Sequence, residues 1–411
     1  MRFTDENGGR LGLIEAAARG YPAGAGYFSP MGDADLRPAV YAPESAYGDA
    51  ASSAIAALFP EDVDPLMSGR LAHRAFSQAP ALFKLGEGVL VVDYAEGPSA
   101  SAADYEAAFL AGILASEARR AGARILLADG SGSEGAALAE AIAGLRDLRL
   151  ALLYPEGALA RGIRGQRLAR EGGQVSLIAV RGDRTAVDSL IREAAGSRLA
   201  GALATAAGPA NPARFAARIV AQAATFDILR KGTAGDIFLG IRGGDGLGLA
   251  AGLWAWRLGL PITGIVLSVS EKGVLGLEPW GRRIVGSFDA DRPGVIRSLA
   301  LLQGVDREAA ASSRAALVEA GGPALDLASS MPLAAAERAL EAGLSGHALI
   351  VVPRGADPAW DYLNASGVEV AEGASGFRAN EAGGAIPGLS DARVDAEIDP
   401  SLAELERALT A

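Results

Sequence analysis

The sequence contains no cysteine, only two histidines and only three lysines in 411 residues. The missing cysteines exclude a disulfide scaffold, thiolate zinc sites and thiol nucleophiles. With only His73 and His347 to offer imidazole, a histidine-rich metal centre is excluded as well. Lys84, Lys231 and Lys272 are the whole supply of side-chain amines. Positive charge is short overall: 38 Lys and Arg face 49 Asp and Glu, a formal charge of −11. That balance lacks the basic footprint of a nucleic-acid binder. The first residues, Met1-Arg2-Phe3-Thr4-Asp5-Glu6-Asn7, hold no apolar run of the kind a signal peptide needs. The most apolar region, Gly246 to Ser270, is interrupted by Arg257 and Pro261, with Trp254 and Trp256 in mid-run. It reads as a buried helix followed by a buried strand rather than a membrane span. The expectation is a cytoplasmic protein that takes a small molecule and neither nucleic acid nor membrane; its oligomeric state is left open.

Half of the residues are apolar and 21% are charged, which suits a folded chain of two or three domains. Short apolar runs alternate with Ala-rich helical stretches. Strands are predicted at Val89–Tyr94, Arg124–Ala128, Arg149–Tyr154, Val175–Val180, Asp236–Leu239, Ile262–Ser268 and Ala348–Val352, and a long helix over Ala102–Arg120. Runs apolar on both faces, separated by helices, are the pattern of parallel strands covered on two sides. The fold class is therefore α/β: two parallel-sheet domains with a cleft between them. The boundaries predicted are 1–99 for an N-terminal segment that starts the large domain, 100–225 for a small domain, and 226–411 for the rest of the large one. A final short helix is predicted after Asp399-Pro400-Ser401, with Leu402, Leu405 and Leu409 as its apolar stripe.

Ligands of open parallel sheets bind beyond the carboxyl ends of the strands. Two loops there are glycine-rich: Gly130-Ser131-Gly132-Ser133-Glu134-Gly135 and Gly243-Gly244-Asp245-Gly246-Leu247-Gly248. Each leads into a helix whose first amides suit an anion. The first also fits G-x-G-x-x-G, with Glu156 about 20 residues on as a ribose partner, so a dinucleotide-binding oxidoreductase using Gly130, Gly132 and Gly135 stays open. Glu134 and Asp245 place a carboxylate in each loop, which repels an anion. His73 lies in a helical pattern, His347 before a strand, and the three lysines read as solvated surface groups.

An ordered series of motifs resembles the threonine synthase family, pyridoxal-phosphate enzymes of fold type II. The series comprises Ala25-Gly26-Tyr27-Phe28-Ser29-Pro30, Leu152-Leu153-Tyr154-Pro155-Glu156-Gly157 with Gln166, Asn211-Pro212-Ala213-Arg214-Phe215 with Gln222, and Gly259-Leu260-Pro261-Ile262. The resemblance spans roughly residues 1 to 370. It implies the tryptophan synthase β-like architecture, pyridoxal phosphate as cofactor, and conversion of O-phosphohomoserine and water to threonine and phosphate. It assigns Gly244, Asp245, Gly246, Leu247 and Gly248 to the cofactor phosphate, and Ser131, Gly132, Ser133, Glu134 and Gly135 to substrate.

The departures fall where the chemistry belongs. The family's Schiff-base lysine sits in G-P-T-x-A-F-K-D; here the stretch is Gly97-Pro98-Ser99-Ala100-Ser101-Ala102-Ala103-Asp104, and the lysine position is Ala103. The substrate loop has Ser133 and Glu134 in place of Asp and Thr. The phosphate loop has Asp245 for Asn and Leu247 for its second glycine. The family's N-E-N-D segment reads Ser268-Val269-Ser270-Glu271. The resemblance thus implies a catalytically impaired or inactive relative that retains cofactor poorly, with an active synthase using another lysine as the alternative. Its geometric requirement is that Ala103 open a helix inside the cleft, facing Gly244–Gly248.

Overall fold

The computed structural model describes residues 1–22, 26–41, 46–94, 97–98, 102–130, 133–155, 173–230, 235–269, 277–323, 325, 327–344, 349–354 and 395–410. Three two-residue strands near the N-terminus, β1 (Phe3–Thr4), β2 (Arg10–Leu11) and β3 (Ser29–Pro30), form a small antiparallel sheet. Two six-stranded sheets follow. The first contains β6 (Arg124–Asp129), β7 (Leu148–Pro155), β8 (Val175–Val180), β9 (Arg198–Leu199), β10 (Ala202–Ala206) and β15 (Ala396–Ile398), in the order β15-β8-β7-β6-β10-β9. The second contains β4 (Ala81–Leu85), β5 (Val89–Asp93), β11 (Ile237–Arg242), β12 (Gly264–Val269), β13 (Ala300–Gly304) and β14 (Leu349–Arg354), in the order β13-β12-β11-β14-β5-β4. In each, the antiparallel pairing is confined to one edge, β9 against β10 and β4 against β5.

The parallel strands are apolar because helices cover them on both sides. All six residues of β12 are buried, as are five of six in β8 and six of eight in β7. The two sheets share a core built on the Ala103–Ala121 and Pro212–Arg230 helices. The second of these is buried along nearly its whole length. Asn211 opens it: its side chain accepts from Ala213 N at 2.9 Å and donates to the carbonyls of Ala17 and Ala206. Pro212 is its first residue, a position that needs no amide donor.

At the far end of the chain, β15 joins the first sheet rather than the second, with Ala396 opposite Ile178 and Ile398 opposite Val180. The expected final helix runs Leu402–Thr410, and Ser401 Oγ accepts from Glu404 N at its start. Leu405 is fully buried and Leu402 and Leu409 pack against the first sheet's core.

Strand order locates the cleft. From β6 the first sheet grows one way through β7 and β8 and the other way to β10. From β11 the second grows through β12 and β13 on one side and meets β14 on the other. Loops leaving neighbouring strands at such a reversal part, and open a crevice at the carboxyl ends. The segments that follow β6, β10 and β11 contribute Glu134, Pro209 and Gly244–Gly248 to one cavity. Among the described residues, no helix is long and apolar enough to cross a membrane.

Candidate functional site

The cavity encloses about 230 Å³, and Ala103 lines it together with Gly244, Asp245, Gly246, Leu247 and Gly248. Ala103 is the first residue of its helix and is 7% exposed. The preceding Gly97 is held by close approach, since a Cβ there would meet the Asp104 carboxylate at 2.3 Å. Gly97 and Asp104, two residues of the motif, are thus packed together although its lysine is absent.

The Gly246–Arg257 helix points its N-terminus at the cavity, and that terminus is already served from within the chain. Asp245 caps it, its carboxylate accepting from Gly248 N at 2.8 Å. A carboxylate here satisfies one of the unpaired amides and complements the helix dipole. The other Asp245 oxygen takes Arg218 Nη1 at 3.2 Å.

Behind it lies an ionic chain that crosses between the two central helices. Glu106 accepts from Arg218 Nε at 2.8 Å, Arg218 Nη2 at 2.5 Å and Arg214 Nε at 3.1 Å. Glu106 and Arg214 are each 1% exposed. Arg214 Nη2 continues to Glu134 at 3.6 Å, a looser pairing. Burial opposes the charge on Arg214 and Arg218, but the carboxylates around them hold both guanidiniums above their usual range. Three carboxylates thus surround two guanidiniums. At the rim, Glu278 accepts the Trp280 indole N–H at 2.5 Å, and the exposed Arg242 ends β11.

Glu134 is the group with spare protonic capacity. Withdrawal from water in the cleft raises its carboxyl above the ordinary glutamate range; Arg214 opposes the shift, and Glu106, Asp129 and Glu278 add to it. The folded chain therefore holds this proton more tightly than the unfolded chain does. Stability then falls as pH rises from the ordinary glutamate range through Glu134's raised one. Asp188, raised mainly by burial, acts in the same direction. Glu134→Gln cannot titrate and is expected to flatten, without abolishing, this decline. Thermal unfolding of both proteins across the mildly acidic to neutral range checks it, and parallel curves would refute the assignment.

Of the residues predicted for substrate, Glu134 lines the cavity, whereas Gly135 packs against Leu152, which a Cβ there would approach to 3.1 Å. Ser133 opens the Ser133–Ile142 helix. Ser131 and Gly132 lie outside the described residues, as do Glu156, Lys231, Lys272 and His347. The glycine at 130 has a packing cause: a Cβ there would meet the Tyr154 ring at 2.3 Å. A dinucleotide is not needed to explain it. Lys84 is exposed on the edge strand β4 and His73 is exposed in the last turn of the Pro65–Ala75 helix; neither lines the cavity. No lysine, histidine or cysteine is among the cavity's described lining residues.

Sequence reasoning noted Arg214 and Gln222 only as motif positions and passed over Glu106, Arg218, Glu278 and Trp280. A signal was present. Arg214, Arg218 and Gln222 recur every four residues in a largely apolar helix, and Glu106 follows Ala103 by three, so each set shares a face.

No family model matches the chain. It is 26% identical to threonine synthase of Serratia marcescens over 257 residues, 62% of this chain and 59% of that protein. It is 30% identical to threonine synthase of Escherichia coli over 168 residues, 40% of this chain and 39% of that one. The matched sequence thus spans between about two fifths and three fifths of these relatives' length. In fold the likeness is end to end. The threonine synthase structure from yeast superposes with a TM-score of 0.76 at 14% identity, covering 99% of this chain and 98% of that one. The Escherichia coli structure gives 0.74 at 19%, covering 99% of each. The PLP-bound threonine synthase from Brucella melitensis gives 0.73 at 17%, covering 100% and 99%. The chain is thus similar in sequence to threonine synthases over part of its length and shares their fold from end to end.

Proposed function

We propose that this chain is a ligand-binding member of the threonine synthase family in which the pyridoxal-phosphate reaction has been lost. Pyridoxal phosphate comes to it only through the resemblance, and the residues of the cavity do not fit that cofactor. The observation that carries the reading is Asp245. Its carboxylate occupies the capping position on the Gly246–Arg257 helix, where the resemblance would seat the cofactor phosphate, and it is bound to Arg218 as well. A phosphate brought there meets a fixed negative charge instead of free amides. The two guanidiniums deepest in the cavity are neutralised by Glu106, Glu134 and Asp245. Ala103 adds the second difficulty: at the position the resemblance gives to the Schiff-base lysine, it offers no amine. Losing a positioned proton-transfer group alone lowers rates by about 10² to 10⁴, and losing the covalent anchor removes the route that depends on it.

Titration of the purified chain with pyridoxal phosphate, followed by borohydride reduction and peptide mapping, tests this reading. The expected result is no visible band that reduction traps on a side chain. A trapped adduct on Lys84, Lys231 or Lys272 would overturn it and identify a working replacement for the family's lysine.

A further inference from the structure

The Pro65–Ala75 and Ala103–Ala121 helices line a groove of about 650 Å³ that shares no lining residue with the Ala103 cavity. Close contact between the two helices shapes it: a Cβ at Gly112 would meet Leu71 Cδ2 at 2.8 Å and Arg74 Cδ at 3.3 Å. Leu71 and Ala115 are buried at its base. Its apolar walls are Leu66, Met67 and, from the turn ahead of β7, Leu145. Leu66, at 63%, is the most exposed large apolar side chain among the described residues.

Both helices present the same spacing to the groove. Leu66, Arg70 and His73 stand at i, i+4 and i+7 on one, and Gly112, Ser116 and Arg119 at i, i+4 and i+7 on the other. Each set is one helix face. A furrow between two such ridges is the shape that receives a third helix.

The charge of the groove is a separate observation. Among the described residues, the side chains of Arg70, His73 and Arg119 form no ion pair or hydrogen bond. Glu117, two residues from Arg119, is taken by Arg120 and Arg124. Arg74 donates to the Ala141 carbonyl. The one carboxylate among the described lining residues, Asp64, caps its own helix by accepting from Met67 N at 2.7 Å. In a chain of formal charge −11, guanidiniums are thus left without carboxylates beside an apolar strip.

We propose that this groove docks an acidic amphipathic helix of a partner protein, with its apolar stripe on Leu66, Met67 and Leu145 and its carboxylates paired with Arg70 and Arg119. The negative charge of the chain as a whole does not prevent this, because exposed charges beyond about 10 Å are screened at ordinary salt. It does oppose a nucleic acid, whose phosphates run on past the groove to meet the acidic surface. A bilayer is flat and does not reach the base of a concave seat.

Fluorescence anisotropy of the full chain with a labelled peptide of about 15 residues tests the assignment. The peptide carries leucine at every third or fourth position and glutamate elsewhere, and a counterpart carries lysine in place of glutamate. Saturable, salt-weakened binding of the glutamate peptide and none of the lysine peptide is expected. Arg70→Glu combined with Arg119→Glu should weaken it at least about tenfold, the scale of two reversed charge contacts. Gly69→Trp is the steric variant, for Gly69 lines the groove and a Cβ there meets nothing within 4 Å. It should abolish binding while circular dichroism stays native. Absence of saturation by the glutamate peptide on the unaltered chain overturns the proposal without any variant. Equal binding of both peptides overturns it too, as does undiminished binding in both variants. An oligonucleotide or phosphatidylglycerol vesicles binding where the peptide does not, and losing that binding in Gly69→Trp, would overturn the helix and give the groove to another polyanion. None of these probes uses the Ala103 cavity, so the outcome is independent of the cofactor titration.

Discussion

Replacing Glu106 with alanine is expected to remove about 3–5 kcal/mol of folding stability, the penalty for stranding buried charge. Glu106 is the hub of the ionic chain, taking three charge-assisted hydrogen bonds from Arg214 and Arg218. Among the described residues, its removal leaves Arg214, itself 1% exposed, with the 3.6 Å pairing to Glu134 and the carbonyl of Ala207. For a fold with a margin of about 5–15 kcal/mol, that is a large share. Urea unfolding followed by circular dichroism measures it. The combined change Glu106→Leu, Arg214→Met and Arg218→Met is expected to be milder than Glu106→Ala alone, since the deepest charges leave together and Asp245, 30% exposed, retains water. A loss below about 1 kcal/mol in Glu106→Ala would mean that water reaches the network and that the cavity is not the low-dielectric site described.

The second large effect is a gain. Ala103→Lys alone is expected to leave pyridoxal phosphate weakly held, because the Asp245 carboxylate still occupies the helix N-terminus. Adding Asp245→Asn removes that charge and keeps the cap, for asparagine caps a helix as well as aspartate does. The double variant should bind pyridoxal phosphate at least about tenfold more tightly than Ala103→Lys alone, the scale of removing one unfavourable charge contact. Absorbance titration with borohydride trapping at position 103 measures both proteins. Equal affinity in the two would show that Asp245 does not block the phosphate position, and the main support for lost cofactor chemistry would fall with it. Both variants bear on one physical question: whether the cavity's charges are arranged around a missing ligand or around one another. Glu106 and Asp245 are arranged around Arg218.

Much of the architecture was legible because parallel strands buried on two faces cannot avoid an apolar signature. The stretch Val175–Val180 was read to the residue, and the strands starting at Arg124, Leu148 and Gly264 were placed to within two residues at either end. The run Ile237–Arg242 was cut short at Leu239, because Gly240 and Arg242 break its apolar pattern. Arg242 closes the strand at the cavity rim, where a charged side chain meets solvent. The pairing of β15 with β8 had no local signal, since three residues, Ala396–Ile398, are too few to declare a sheet.

The site divides in the same way. The position of Ala103 at a helix start, lining one cavity with Gly244–Gly248, is the one the family resemblance implies. The glycines at 130 and 135 were read as room for a ligand, but they make room for Tyr154 and Leu152. The carboxylate of Asp245 was read as an obstacle to an anion, and its use as the helix cap supplies the mechanism of that obstruction.

From the sequence alone came the α/β class, the order of most strands, the family resemblance and the absence of an amine at position 103. Each of these is written in local composition or in the spacing of a motif, where neighbouring residues carry the information. Which charges neutralise which was decided by the tertiary structure. Glu106 meets Arg214 and Arg218 across more than a hundred residues, and Gln222 Oε1, on the same helix as the two arginines, finds no donor among the described residues. Electrostatic pairing acts through space over a few ångströms, and a chain fixes those distances only after its helices have packed.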